Sequence, residues 1–356
     1  MVAALFQDSE ALAVLPLSID RFHGLTRARL IGSDVSNSDW LAMSRRGMQT
    51  LAPEDITGLF AQLRCKTGHI DFLQFGNQPA NWQGVANPLL GFRHQQSPDH
   101  LYRSNIATDP AARINAKRRR NLLRGKRRLG ENFGAVKLLR ARSREDIHRV
   151  HATFLAQRNV RFDRMGIDNP FARNDFVAFF GQAAESAIGE PNPALCFHAL
   201  LAGDDIVATS LGAYCGTHYS QYINSTAEGP AARYSLMGIL MLELTEELRA
   251  SGIRTIDLGV GDFEYKEDWA DKETVYDSFF PLTWRGRVAV PALAAWRAAK
   301  RRIKQDEMLW SLAKRLRLLM HRARTPATMP DSSNADVVAA HDAPDEIKRE
   351  QTAWSA

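Results

Sequence analysis

Between Asp257 and Lys266 the chain reads Asp-Leu-Gly-Val-Gly-Asp-Phe-Glu-Tyr-Lys, so an apolar run ends in two glycines, a carboxylate, a phenol and an ammonium. A carboxylate, a phenol and an ammonium at one strand end can move protons and stabilise charge, which transfer of an acyl unit to an amine would draw on, as would other chemistries. An amine attacks a thioester or ester only when deprotonated, so Asp262 is a candidate base, acting directly or through water. Lys266 is a candidate for neutralising a phosphate or the oxyanion of a tetrahedral intermediate. Tyr265 is a candidate for protonating the leaving group. Gly259 and Gly261 would let a substrate chain pass close to the backbone. The plain alternative is a turn carrying a surface Lys266–Asp262 ion pair, which contributes little to stability.

A second group lies upstream. Ser235-Leu236-Met237-Gly238 opens an apolar run with helical spacing that Gly252 closes. A helix N-terminus offers unpaired N–H groups and about half a positive charge, which suits a pyrophosphate. Ser235, Met237 and Gly238 are therefore candidate donor-binding residues, with Gly238 allowing close backbone approach. On the strand before this helix, Tyr222 and Asn224, also candidate donor-binding residues, share one face and Ser225 takes the other. Core packing of Tyr222 and a merely capped helix are the plain alternatives.

Other chemistries find less support. The histidines show no metal-ligand spacing, His148 and His151 included, so no metal is expected. The three cysteines are isolated, which argues against disulfides and zinc and for buried structural thiols. There is no G-x-x-x-x-G-K-[ST] and no G-x-G-x-x-G.

These candidates need elements to hold them. From about residue 135 the pattern predicts a strand, two helices, three antiparallel strands, a helix, a strand, a charged loop and another strand. The meander is signalled by turns at Gly203-Asp204-Asp205 and Gly216-Thr217. Ser143, followed by Glu145 and Asp146, starts the first helix. Residues 1 to about 110 read as mixed α/β, with a helix over "APEDITGLFAQLRCK" and strands at "ARLIGSD" and "HIDFLQF". A long basic helix, or two, is expected over 291–323. The polar stretch beyond Thr325 has almost no core formers and is expected to be disordered.

The net charge of +6 is an average over unlike segments. Arg113–Arg128 holds nine basic residues and no acid, and Arg297–Arg324 holds ten against Asp306 and Glu307. They contribute +9 and +8, leaving the remainder near −11. Phosphate, nucleic acid or anionic lipid could meet either segment. The plain alternative for the first is a solvated helix with Ile114, Leu122 and Leu129 tucked inward. The start of the chain lacks a basic n-region and is interrupted by Asp8 and Glu10, so no signal peptide is read there. No apolar run reaches the ~18 residues of a membrane span. A cytoplasmic protein is expected. The basic helix over 296–324, with Leu309, Leu312, Leu316 and Leu319 at helical spacing, is read first as packing on the second domain, with contact to the anionic inner membrane face as the alternative.

Four pieces together resemble the CelD-like and FemAB-like branch of the GNAT acyltransferases. They are "AKRRRNLLRGKRRLGE", "FLAQRNVRF", "YSLMGILMLELTEELRASGI" and "DLGVGDFEYKEDW". The resemblance implies an α/β fold with a mixed sheet, built as two tandem GNAT-like halves. It implies a degenerate half over 1–110, a basic linking helix over 111–133 and an active half over 134–292. A C-terminal basic amphipathic helix over 293–324 and a tail over 325–356 would follow. It also implies an anion-binding role for Arg161 beside the acceptor groove. The R/Q-x-x-G-x-G/A donor signature of the superfamily is not intact, since Arg233 and Gly238 have the wrong spacing.

The expectation is thus transfer of an acyl group from acyl-CoA, acetyl-CoA first, to an amine or hydroxyl of a sugar, polysaccharide precursor or peptide. The family implies a role in polysaccharide or envelope biosynthesis. Two alternatives stay open: FemAB-like transfer from aminoacyl-tRNA, and a non-catalytic accessory at the membrane surface.

Overall fold

The structure is a computed structural model that describes residues 1–33, 35–108, 114–165 and 168–313. In chain order its main elements are β1 (Val2–Gln7), β2 (Glu10–Phe22), β3 (Leu25–Leu30), α1 (Pro53–Lys66), β4 (Phe72–Pro79) and β5 (His94–Asn105). Then come α2 (Ala116–Phe133), β6 (Val136–Arg140), α3 (Arg144–Met165), α4 (Asn174–Ser186), β7 (Cys196–Ala202), β8 (Asp205–Cys215) and β9 (His218–Thr226). The last are α5 (Leu236–Ala250), β10 (Thr255–Val260), β11 (Asp271–Pro281) and α6 (Trp284–Gln305). The result is a mixed α/β fold.

The chain forms two compact units. One comprises Met1–Leu101 and Lys272–Ser311; the other comprises Tyr102–Asp271 and takes in the described residues from Leu312. In the first unit the strands run β1-β2-β3-β4-β11, with the start of β5 beyond β11. β1, β2 and β3 pair antiparallel, β3 and β4 parallel, and β4 and β11 antiparallel. Leu15, Leu17, Ala28, Leu73 and Phe75 pack there with Ile56, Phe60 and Leu63 of α1.

α6 starts at Trp284, seven residues before the expected position, because Pro291 lies inside the helix and does not begin it. Thr283 caps it by accepting from the Gly286 N–H. A Cβ at Gly286 would lie 2.0 Å from the Asp71 carbonyl oxygen, so only glycine lets the helix approach this closely. The expected helix beyond Ala313 and the expected disordered tail fall outside the described residues.

In the second unit the order is β6-β7-β8-β9-β10, with the end of β5 beside β10. The meander β7-β8-β9 forms at the expected turns. Ser143 accepts from the Asp146 N–H and starts α3. Ile147, Val150, Phe154 and Phe162 keep one face of α3 buried. α5 buries residues over most of its circumference, including Leu236, Ile239, Leu240, Met241, Leu244 and Leu248. α2 packs Leu122 and Leu129 inward, as its apolar spacing predicts, with Ile114 buried just before the helix, and exposes Arg119, Arg120, Arg124, Arg127 and Arg128. Of the cysteines only Cys196 is buried; Cys65 and Cys215 are exposed, contrary to the expectation of three buried thiols. Cys65 lies on the outer side of α1 near its end, and Cys215 ends β8 at a turn. Burial pushes the Cys196 thiol up to about 11 and leaves it inert at neutral pH.

Candidate functional site

The site is built in the second unit by two strands that pair and then part. β9 and β10 are parallel, with a register covering His218–Ser220 against Thr255–Asp257. Side chains staple this paired end. His218 Nε2 lies 2.9 Å from Asp257 Oδ2, and the Ser220 hydroxyl donates to the same oxygen at 2.7 Å. Beyond Ser220 the register stops, although β9 continues to Thr226 and β10 to Val260. On the other edge of β9 the pairing with β8 slips between Leu211 and Gly212, leaving Tyr222 as the extra residue of a bulge. A bulge bends and twists its strand, which accounts for β9 turning away from β10.

Residues on the diverging part of β9 face two ways. The Asn224 amide donates to the Tyr265 hydroxyl oxygen at 3.0 Å. Ser225 donates to Gln157 of α3 at 2.6 Å and meets Thr209 of β8 at 2.5 Å. This is the alternation expected of Asn224 and Ser225. Tyr222 is half-buried, and burial pushes its phenol up.

At the end of β10, Gly259 has φ +75° and Gly261 φ +110°. Only glycine adopts such angles without strain, so the backbone itself requires both residues. A one-turn helix over Glu264–Glu267 follows. Lys266 is only 3% exposed. Its ammonium donates to the carbonyl oxygens of Gly259 (3.2 Å) and Val260 (3.0 Å) and lies over the rings of Phe263 and Tyr102. Lys266 thus ties the strand end to the turn. The Tyr102 hydroxyl donates to Asp262 at 3.1 Å. Burial, with Asp262 and Glu267 nearby, pushes the Tyr102 phenol far up, so it stays a donor.

The helix start expected at Ser235–Gly238 is the first turn of α5. Ser235 sits at φ +56°, a left-handed conformation costly for a residue with a Cβ. A Cβ at Gly238 would lie 2.6 Å from Leu122 Cδ2, so the packing of α2 accounts for this glycine. α2 also brings Gly125 against the Tyr234 carbonyl.

Arg161 is joined by a residue that sequence reasoning missed. Arg158, one turn earlier on α3, keeps 8% of its surface and is surrounded by Phe154, Phe162 and Phe171. Its buried Nε has no hydrogen-bond partner, and among the described residues no carboxylate acts on it; only the Tyr265 phenol does. Burial lowers Arg158 to about 10. Burial and the neighbouring Arg158 bring Arg161 to about 10, against Tyr265 and Glu228. Both stay cationic at neutral pH. The signal was in the sequence, since Arg158 follows Val150 and Phe154 at four-residue steps on the apolar face of α3.

The arrangement therefore brings Arg158, Arg161, Tyr265 and Asn224 together around the diverging strands, with Asp262 and Lys266 at the adjoining turn. A cavity of about 550 Å³ lined by Arg140, Arg142, Ile147, Pro191 and Cys196 shares none of these residues. Among the described residues no group of side chains could hold a metal ion. Nor, among the described residues, is any helix long and apolar enough to cross a membrane.

Residues 116–267 match the sequence model of the Acetyltransferase (GNAT) domain family. No functionally curated protein matches the chain. Three solved structures share its fold at low identity. The C-terminal domain (DUF2156) of a protein described as a candidate lysylphosphatidylglycerol synthetase, from Agrobacterium fabrum, has a TM-score of 0.53 at 12% identity, covering 84% of this chain and 88% of its own. FemX has a TM-score of 0.54 at 10% identity, covering 82% and 89%. A conserved protein of unknown function from Bacteroides thetaiotaomicron has a TM-score of 0.50 at 9% identity, covering 76% and 83%. The chain thus carries an acyltransferase fold of the GNAT type, and the matched domain contains every candidate site residue.

Proposed function

We propose that the protein transfers an acyl group from acyl-CoA to an amine, or a hydroxyl, of an acceptor that carries an anionic group. The reading rests on the way β9 and β10 are stapled at Asp257 and unpaired beyond Ser220. Two parallel strands that part expose backbone N–H and C=O groups along which an extended acyl-pantetheine arm can pair. The start of α5, with Ser235 at its cap and Met237 in its first turn, follows β9 after a short connection that includes a 3-10 turn over Pro230–Tyr234. Its orphan N–H groups suit the pyrophosphate.

In this reading the acceptor amine attacks the thioester carbonyl, and the thiolate leaves with a proton. Tyr265 supplies that proton. Its oxygen accepts from Asn224, which leaves the phenolic O–H as the donating half of the group. Asp262, oriented by Tyr102, takes the proton from the amine through water. Lys266 acts through the backbone by holding Gly259 and Val260 in place. Arg158 and Arg161 hold the acceptor's carboxylate or phosphate; Arg158 is the buried one, and a buried guanidinium on which no described carboxylate acts is costly unless a ligand supplies one.

A second reading, transfer from aminoacyl-tRNA, is favoured by the exposed arginines of α2, which packs on the start of α5. FemX also shares the fold. A place in polysaccharide or envelope synthesis is consistent with either donor.

Thermal unfolding with acetyl-CoA, longer acyl-CoAs and free CoA separates the two. A ligand at ~100 times its Kd adds roughly 2.7 kcal/mol, a visible shift. Stabilisation by CoA compounds that Tyr265→Phe preserves, with loss of thiol release, is the expected result. No shift with any CoA compound, together with salt-sensitive tRNA binding, would overturn the CoA reading.

A further inference from the structure

α6 is built inside out. It carries seven basic residues and no acid, and the side that faces the first unit is the charged one. Arg297 Nε donates to Asp277 at 2.7 Å, and Lys304 reaches Asp99 at 2.7 Å. Arg301 donates to the Ser97 carbonyl at 2.6 Å. The side that faces water is apolar. Trp284 is 75% exposed, Val288 72% and Trp296 49%, and Ala292, Ala299 and Ile303 are exposed with them. Their positions repeat every three or four residues and form one stripe. Exposed Arg287 and Arg302 flank it, and Lys300 lies over the Trp296 ring.

We propose that this stripe docks the protein on an anionic lipid surface, with α6 lying in the plane of the interface. The two tryptophans are twelve residues apart, roughly 18 Å along the axis, and amphipathic rings of this kind settle at the headgroup level. The flanking cations meet lipid phosphate while the stripe enters the acyl boundary. Charge complementarity selects lipid over a second copy of this chain. Two α6 helices face to face would oppose Arg287 and Arg302 of one to those of the other, with no helix acid to offset them. The proposal is independent of the acyltransfer reading.

The test uses the full chain in flotation with phosphatidylglycerol–phosphatidylcholine vesicles and with phosphatidylcholine alone. Binding to the anionic vesicles is expected, at least tenfold weaker in Trp284→Ser/Trp296→Ser and in Arg287→Gln/Arg302→Gln. Both variants should keep the wild-type unfolding temperature, because the replaced side chains face water. Vesicle binding unchanged in both variants would overturn the proposal, since the basic sequence beyond Ala313 would then carry it. Absence of vesicle binding would overturn it too, and self-association abolished by the tryptophan pair would assign the stripe to a second copy.

Discussion

α2 and α6 are both arginine-rich helices, and charge composition alone would give them one role. Their orientations are opposite. α2 buries Leu122 and Leu129 and sends its arginines to water. α6 pairs its cations with the unit beneath it and presents tryptophan to water. The difference lies in what each helix rests on. α2 meets the apolar surface of α5, including the space left by Gly238. α6 rests near the half-buried Asp99 and the buried Asp277, so its cations are the groups with partners there. Amphipathicity identifies two faces; the facing surface decides which one turns inward.

Arg297→Met should break this arrangement most severely. It leaves Asp277, almost fully buried, without its cation and should cost about 3–5 kcal/mol in urea unfolding. Arg297→Met/Asp277→Asn should recover most of that. A loss below about 1 kcal/mol for the single variant would show that charge does not orient α6.

The acid beside Asp277 sharpens the point through pH. Burial first, and Asp277 next, raise Asp39 to about 6, against hydrogen bonds from the Gly76 N–H and Ser33. Because the folded value lies above the ordinary 3.8, the contribution of Asp39 is full below about pH 4 and lost as pH rises through about 6. Stability should fall by up to about 3 kcal/mol between pH 4 and 8 from this group. Asp39→Asn should flatten that slope.

On α2 the corresponding substitution should matter little. Lys126→Ala removes a half-exposed pair with Glu243 and should cost under about 1 kcal/mol. Smallest of all in stability is Arg158→Met. A buried arginine lacking an acid should be replaced within its phenylalanine cage at no cost, or with a gain. Its effect should appear instead as a raised KM for an anionic acceptor, with little change for the acyl donor.

Much of the second unit is legible in sequence because its signals are local. Gly203 and Gly216 mark the meander turns, Ser143 marks the start of α3, and the paired glycines mark the end of β10. The N-terminal hairpin is less so, since its turn uses Asp8 and Ser9, both at positive φ, where glycine or asparagine would have announced it. Pro291 hid the start of α6 for a similar reason. The candidate site is legible in residue type and not in burial. Tyr265 and Asn224 could be named from the sequence, but their hydrogen bond could not. Lys266 looks like a ligand group in sequence, and only the fold brings the carbonyls of Gly259 and Val260 to its ammonium. Replacing it would disturb the turn as well as any chemistry, which makes Tyr265→Phe the cleaner probe.

The first unit is assembled from both ends of the described chain, with β11 and α6 returning after the whole of Tyr102–Asp271. On the ribosome this has a price in time. β4 leaves the exit tunnel with one edge unpaired, and its partner β11 is not yet made. At 5–20 residues per second the intervening synthesis takes on the order of ten to forty seconds. During that interval the continuous stretch Tyr102–Asp271 of the second unit can fold while the first waits as an open sheet, a template for chaperones or for a neighbouring nascent chain.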